Sequence, residues 1–185
     1  MESKNLNRIV SEIITYSVDI DDQSIKKVAR LCSEANRIFV AGAGRSGFAA
    51  RGFANRLMQL GFKAYFVGET TTPSIKKGDL LIIGSGSGNT NSLVVDAEVA
   101  KKVGAKLVTL TIFPDGLIGK QADSIIVLPG ETPKNDSDSK KNSIQPMGTL
   151  FEQLSWLTYD SIVLELMNIT NTSEESMFNL HANLE

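Results

Sequence analysis

The chain has 185 residues, 42% of them apolar and 22% charged, which is enough for one domain with a sizeable core. Nineteen basic against 21 acidic residues leave a net charge of −2, which gives no general attraction to nucleic acid or to an anionic membrane. Cys32 is the only cysteine, so an internal disulfide is excluded and a reducing, cytoplasmic setting is expected. The first ten residues are too polar for a signal peptide, and no apolar run reaches the roughly 18 residues of a membrane span.

Residues 1–36 hold two apolar stripes at helical spacing. Ile9, Val10, Ile13, Ile14 and Val18 mark one, and Ile25, Val28, Ala29 and Leu31 mark the next. Such stripes need a partner: the sheet, each other or a second subunit. A core over 37–128 follows, in which short β-branched runs alternate with helical patterns. Strands are expected at 37–41, 63–67, 80–83, 106–111 and 124–128, with helices over 48–60 and 93–103 and a helical turn near 117–121. That alternation predicts a parallel sheet with helices on both faces and right-handed crossovers. Residues 129–146 (PGETPKNDSDSKKNSIQP) form a long polar stretch, read as a loop that is functional or mobile. A helix over 148–167 is apolar on more than one side, so it should be covered on more than one side, which suggests oligomerisation. The tail carries a short helical pattern near 174–180 and the single histidine, His181.

The centre of this pattern is residues 80–90, LLIIGSGSGNT: a buried strand, a turn of small residues and a helix start. Helix-start amides with the hydroxyls of Ser85, Ser87 and Thr90, and the backbone around Gly86, would cradle an anion without any lysine or arginine. The alternative is a tight turn that only joins strand to helix. A second glycine-rich turn, GAGRSG at 42–47, follows the first strand. In strand order 2-1-3-4-5 the two turns lie side by side at the topological switch point, which would gather Arg45, Ser46, Ser85, Ser87, Asn89 and Thr90 around one small ligand. GAGRSG also fits a dinucleotide-binding pattern, but residues 62–67 (FKAYFV) lack the acid that would hold a ribose. One cysteine and one histidine cannot assemble a typical zinc site, so no metal is expected. Glu152 is a candidate base, or a first-turn acid that complements its helix dipole. His181 is a candidate proton shuttle, or a surface group.

AGAGRSG at 41–47, VGET at 67–70, GDLLIIGSGSGNT at 78–90, IGKQAD at 118–123, IQPMGTLFEQ at 144–153 and the terminal HANLE resemble the 6-phospho-3-hexuloisomerases, single sugar isomerase (SIS) domains of this length. The resemblance implies a flavodoxin-like three-layer α/β/α sandwich with a five-stranded parallel sheet in order 2-1-3-4-5. It implies a homotetramer with active sites at subunit interfaces, a phosphorylated ketohexose as substrate and no cofactor. The reaction implied interconverts D-arabino-hex-3-ulose 6-phosphate and D-fructose 6-phosphate in the ribulose monophosphate route of formaldehyde fixation. On the same basis Ser46, Ser85, Ser87 and Thr90 bind phosphate, Glu152 matches the family glutamate, and His181 matches a histidine carried across from a neighbouring subunit. Arg45 would stabilise enediolate charge or meet the phosphate. An aldose–ketose isomerase of another phosphosugar and a non-catalytic sugar-phosphate-binding module are the rival readings.

Overall fold

The computed structural model, which describes residues 3–132 and 143–184, places five strands in one parallel sheet of order β2-β1-β3-β4-β5. The strands are β1 (Ile38–Gly42), β2 (Ala64–Phe66), β3 (Leu80–Gly84), β4 (Lys106–Thr111) and β5 (Ser124–Val127). Helices α1 (Lys4–Ser17) and α2 (Asp22–Glu34) precede them; α3 (Gly44–Gln59), α4 (Asn91–Lys102), α5 (Thr149–Thr170) and α6 (Glu174–Phe178) follow in chain order. The order of the strands reverses between β1 and β3, which run parallel and pair from Ile38 with Leu80 through to Gly42 with Gly84, so both strands end at the same level.

Two cores divide the strand residues by parity. Ile38, Val40, Leu80 and Ile82 pack under α2, α3 and α5 with Val28, Phe53, Leu57 and Ile162. Phe39, Ala41, Leu81 and Ile83 pack on the opposite face with Leu93, Ala97 and Ala100 of α4. Period-two alternation with apolar residues on both faces is what a central parallel sheet requires. Cys32 on α2 is wholly buried in the first core, and burial pushes its thiol up to about 12.

One expected boundary moves appreciably. Helix α3 begins at Gly44 rather than at 48: the turn 42–47 already contains the first helical residues. The reason is close approach. A Cβ at Gly47 would lie 2.7 Å from the Gly42 carbonyl oxygen, so the glycines that disguise the helix start are the residues that let it abut β1. Within one chain the stripe on α1 is only partly covered: Ile9 and Ile13 are half-buried, Val10, Ile14 and Val18 are exposed, and Glu12 is the buried residue of that helix. Helix α5 is likewise covered on one side by α2 and α3, while Trp156, Leu157 and Leu164 face outward. Of the long polar stretch, residues 129–132 and 143–146 carry no helix or strand and 133–142 lie outside the described residues.

Candidate active site

The carboxyl ends of β1 and β3 open into a cavity of about 550 Å³. Three helices start at its wall: α3 at Gly44, α4 at Asn91 and α5 at Thr149. Each contributes the positive end of its dipole and amide N–H groups without intrahelical acceptors, and neither Ala43, Thr90 nor Gly148 caps its helix with a side chain. Convergent helix starts suit this cavity to an anion by geometry.

The floor is the turn after β3, and its backbone is fixed at every step. The Ser85 N–H bonds to the Leu110 carbonyl at 2.9 Å, the Gly86 carbonyl accepts the Ile112 N–H at 3.2 Å, and the Gly88 carbonyl accepts the Ile118 N–H at 3.0 Å. Gly88 takes φ +65°, where a side chain would also crowd the Phe113 carbonyl. The hydroxyls are a different matter. Ser85 and Ser87 are both buried and line the cavity. Among the described residues, Ser85 Oγ is one of three buried side-chain oxygens without a hydrogen-bond partner, the others being Thr158 Oγ1 and Tyr159 Oη. An unpaired buried hydroxyl at a cavity wall marks a place where a polar ligand group is accommodated. Tyr159 stands beneath the floor: a Cβ on Gly84 would meet its phenol oxygen at 2.7 Å, and burial raises its ionisation well above the ordinary range, so it stays protonated.

Arg45 and Glu152 form the chemical wall. Arg45 Nε donates to Glu152 Oε2 at 2.5 Å, joining the start of α3 to the first turn of α5. The arginine is 67% exposed and the glutamate 18% exposed. An exposed cation therefore pairs with a carboxylate that is held on a long, well-packed helix. Glu152 is at once a first-turn acid and a cavity residue.

Most of the expected site residues meet here: Arg45, Ser46, Ser85, Gly86, Ser87, Thr90 and Glu152 line one cavity. Two do not. Asn89 is turned to the protein, its Oδ1 accepting the Leu117 N–H at 2.8 Å, where it ties the turn after β3 to the next loop. His181 is exposed in the tail, with Nδ1 3.0 Å from the Ala182 carbonyl. Its neighbour Leu180 packs at Gly61, beyond the far end of α3, whose 16 residues span about 24 Å. Within a single chain His181 and Glu152 therefore lie toward opposite ends of that helix. Glu131, Pro146 and Met147 complete the rim, from a stretch whose polarity signalled a loop but not its location. Among the described residues no cluster of three or more histidine, cysteine, aspartate or glutamate side chains could hold a metal ion, and no helix is long and apolar enough to cross a membrane.

A family profile described as the SIS domain matches residues 31–154. The chain is 47% identical over 177 residues to the 3-hexulose-6-phosphate isomerase of Bacillus subtilis (strain 168), an overlap covering 96% of this chain and 95% of that one. It is 38% identical over 183 residues to the 3-hexulose-6-phosphate isomerase of Mycobacterium gastri, covering 99% and 91%. A crystal structure from Methanococcus jannaschii, from which a molecular function of 3-hexulose-6-phosphate isomerase has been inferred, superposes with a TM-score of 0.83 at 35% identity, covering 99% of this chain and 100% of that one.

Proposed function

The chain belongs to the SIS domain family, among relatives that are 3-hexulose-6-phosphate isomerases, and from that premise we propose that it interconverts D-arabino-hex-3-ulose 6-phosphate and D-fructose 6-phosphate. The observation that carries the reading is a neutral-donor anion cradle and a carboxylate–guanidinium pair on facing walls of one cavity. The cradle suits the phosphate, and the pair suits the carbon chemistry.

Toward fructose 6-phosphate, Glu152 removes the proton from C2 while the C3 carbonyl oxygen gains one. The product of that step is a 2,3-cis-enediol. The proton on the base then returns to C3, the O2 hydroxyl loses its proton, and the carbonyl stands at C2. Atoms and electrons balance within the sugar, so no cofactor is required. Arg45, already in contact with the carboxylate, places positive charge beside the oxygens on which enediolate charge develops. Phosphate held by Ser46, Ser85, Ser87, Thr90 and the start of α4 fixes the register of the reacting carbons, so that binding energy from a remote group serves the chemical step.

The oxygen-proton shuttle and ring opening fall to His181. The separation along α3 means that a histidine acting beside Glu152 comes from another copy of the chain. The exposed stripes on α1, α4 (Val95, Val99 and Val103) and α5 are suited to cover by such copies, in keeping with a homotetramer whose sites lie at subunit interfaces. The physiological setting is the cytoplasmic ribulose monophosphate route of formaldehyde fixation.

Carbon NMR of labelled fructose 6-phosphate with the purified protein and no added cofactor tests this. Signals of a 3-ketohexose 6-phosphate are the expected result. An unchanged spectrum from folded protein that binds the sugar phosphate would overturn the assignment.

A further inference from the structure

Helix α1 stands apart from the sheet, yet it buries a carboxylate. Glu12 is 8% exposed and both its oxygens are engaged: Oε1 accepts the Ile144 N–H at 2.7 Å and Oε2 accepts Gln145 Nε2 at 2.9 Å. Gln145 Nε2 also donates to Gln153 Oε1 at 2.8 Å, one residue beyond Glu152. From the other side, Glu131 Oε1 accepts the Ser143 N–H at 3.4 Å. Between this clamp and the first turn of α5, where Thr149 Oγ1 donates to the Pro146 carbonyl at 2.7 Å, lies Met147 at φ +57°. A bulky residue in the left-handed region is held there only when both flanks over-determine it. Pro146, Met147 and Gly148 form the cavity wall next to Glu152.

We propose that Glu12 is a positioning residue for the isomerisation: through Ile144 and Gln145 it fixes the strained entry to α5 and so the placement of the Glu152 carboxylate. Among the described residues no α1 residue lines the cavity, and the turn after β3 is tied instead to β4 and the loop after it. The inference rests on the isomerase reading above. Wild-type turnover tests that reading, and the ratio of variant to wild type tests this one.

What Glu12 supplies is hydrogen-bond geometry, which a glutamine can reproduce if the amides of Gln145 and Gln153 turn over together. The experiment compares Glu12→Leu with Glu12→Gln, measuring kcat, KM and the inhibition constant of inorganic phosphate. Glu12→Leu is expected to lower kcat by about tenfold to a hundredfold, the scale of a small misplacement of a catalytic group, with phosphate inhibition unchanged within about twofold. Glu12→Gln is expected to keep kcat within about threefold of wild type. Gln145→Ala, which removes the side-chain link but leaves the Ile144 N–H on Glu12, should lower kcat in the same sense by a smaller factor even if Glu12→Leu does not fold, and the double variant should lose less than the product of the two single effects, since the two changes share one link. Wild-type kcat in Glu12→Leu or in Gln145→Ala, kcat and phosphate affinity falling together, or Glu12→Gln as impaired as Glu12→Leu, would overturn the proposal.

Discussion

The two ends of the sheet are built on opposite rules. At the amino end of the strands, charged groups are committed to one another and to the backbone. Asp79, 2% exposed, accepts from Arg37 Nε at 3.1 Å and Nη2 at 2.5 Å and from the Lys76 N–H at 2.7 Å, and Arg37 lies over the Phe39 ring. Asp123 accepts the Leu107 N–H at 2.8 Å with Lys101 at 2.9 Å and Lys106 at 3.5 Å. At the carboxyl end the backbone is also fixed, but Ser85 Oγ is unpaired, three helices begin without side-chain caps, and the Arg45 guanidinium paired with Glu152 is exposed. The same sheet thus has a closed end whose charges are paired and an open end that lines a cavity.

Four substitutions can break or sharpen that contrast. The largest effect is expected from Glu152→Gln, which keeps shape and removes the base: kcat should fall about 10³-fold while sugar-phosphate binding, measured by calorimetry, is largely retained. Turnover surviving in that variant would remove Glu152 from the base role. Next is Asp79→Ala at the closed end, which should cost about 2 kcal/mol of stability in chemical denaturation, less than for a fully buried pair because Arg37 reaches solvent, and leave kcat at 25 °C unaltered. A loss of kcat there would mean that the ends are coupled. Ser87→Ala at the open end should weaken competition by inorganic phosphate about tenfold with no fall in melting temperature. The smallest effect is electrostatic. Burial pushes the Asp123 carboxyl up, but the Leu107 N–H, Lys101 and Lys106 outweigh it and hold it below its ordinary value. A lowered carboxyl stabilises fully above its unfolded value and loses that contribution as pH falls through the folded one. The stability gap between wild type and Asp123→Asn should therefore be flat near neutrality, within about 1 kcal/mol, and close only below the ordinary carboxylate range. A gap that widens on acidification would contradict the assignment.

Local patterns in the sequence carried the sheet and the cradle because both are local in cause. Apolar runs of four to six residues such as LLIIG and KLVTLT are legible as strands, and the small-residue turn GSGSGNT is legible as an anion loop, with the switch point following from strand order. What escaped is set by distance along the chain. The Arg45–Glu152 contact spans 107 residues and the Ile144–Glu12 contact 132, and no residue pattern announces either. The start of α3 was hidden because Gly44 and Gly47 read as turn formers; Gly44 does take φ +59°, whereas Gly47 lets the helix touch β1. Asn89 sits in the motif by position but serves the fold through Leu117. The stripe on α1 was plain from its spacing; that a glutamate on the same helix would face inward was not, since its partners lie in a loop far downstream.

The burial of Cys32 has a consequence of another kind. With its thiol pushed up to about 12 and its side chain shut inside α2, only about one molecule in 10⁴ carries a thiolate at pH 8, and none of it is within reach of solvent. Alkylation of the native protein must therefore wait for α2 to lift from the sheet. As the chain has one cysteine, the rate at which a maleimide or iodoacetamide label accumulates is a clock for that single opening event. Adding sugar phosphate to the same tube then asks whether the ligand slows the breathing of a helix that contributes no residue to the cavity at the carboxyl end of the strands.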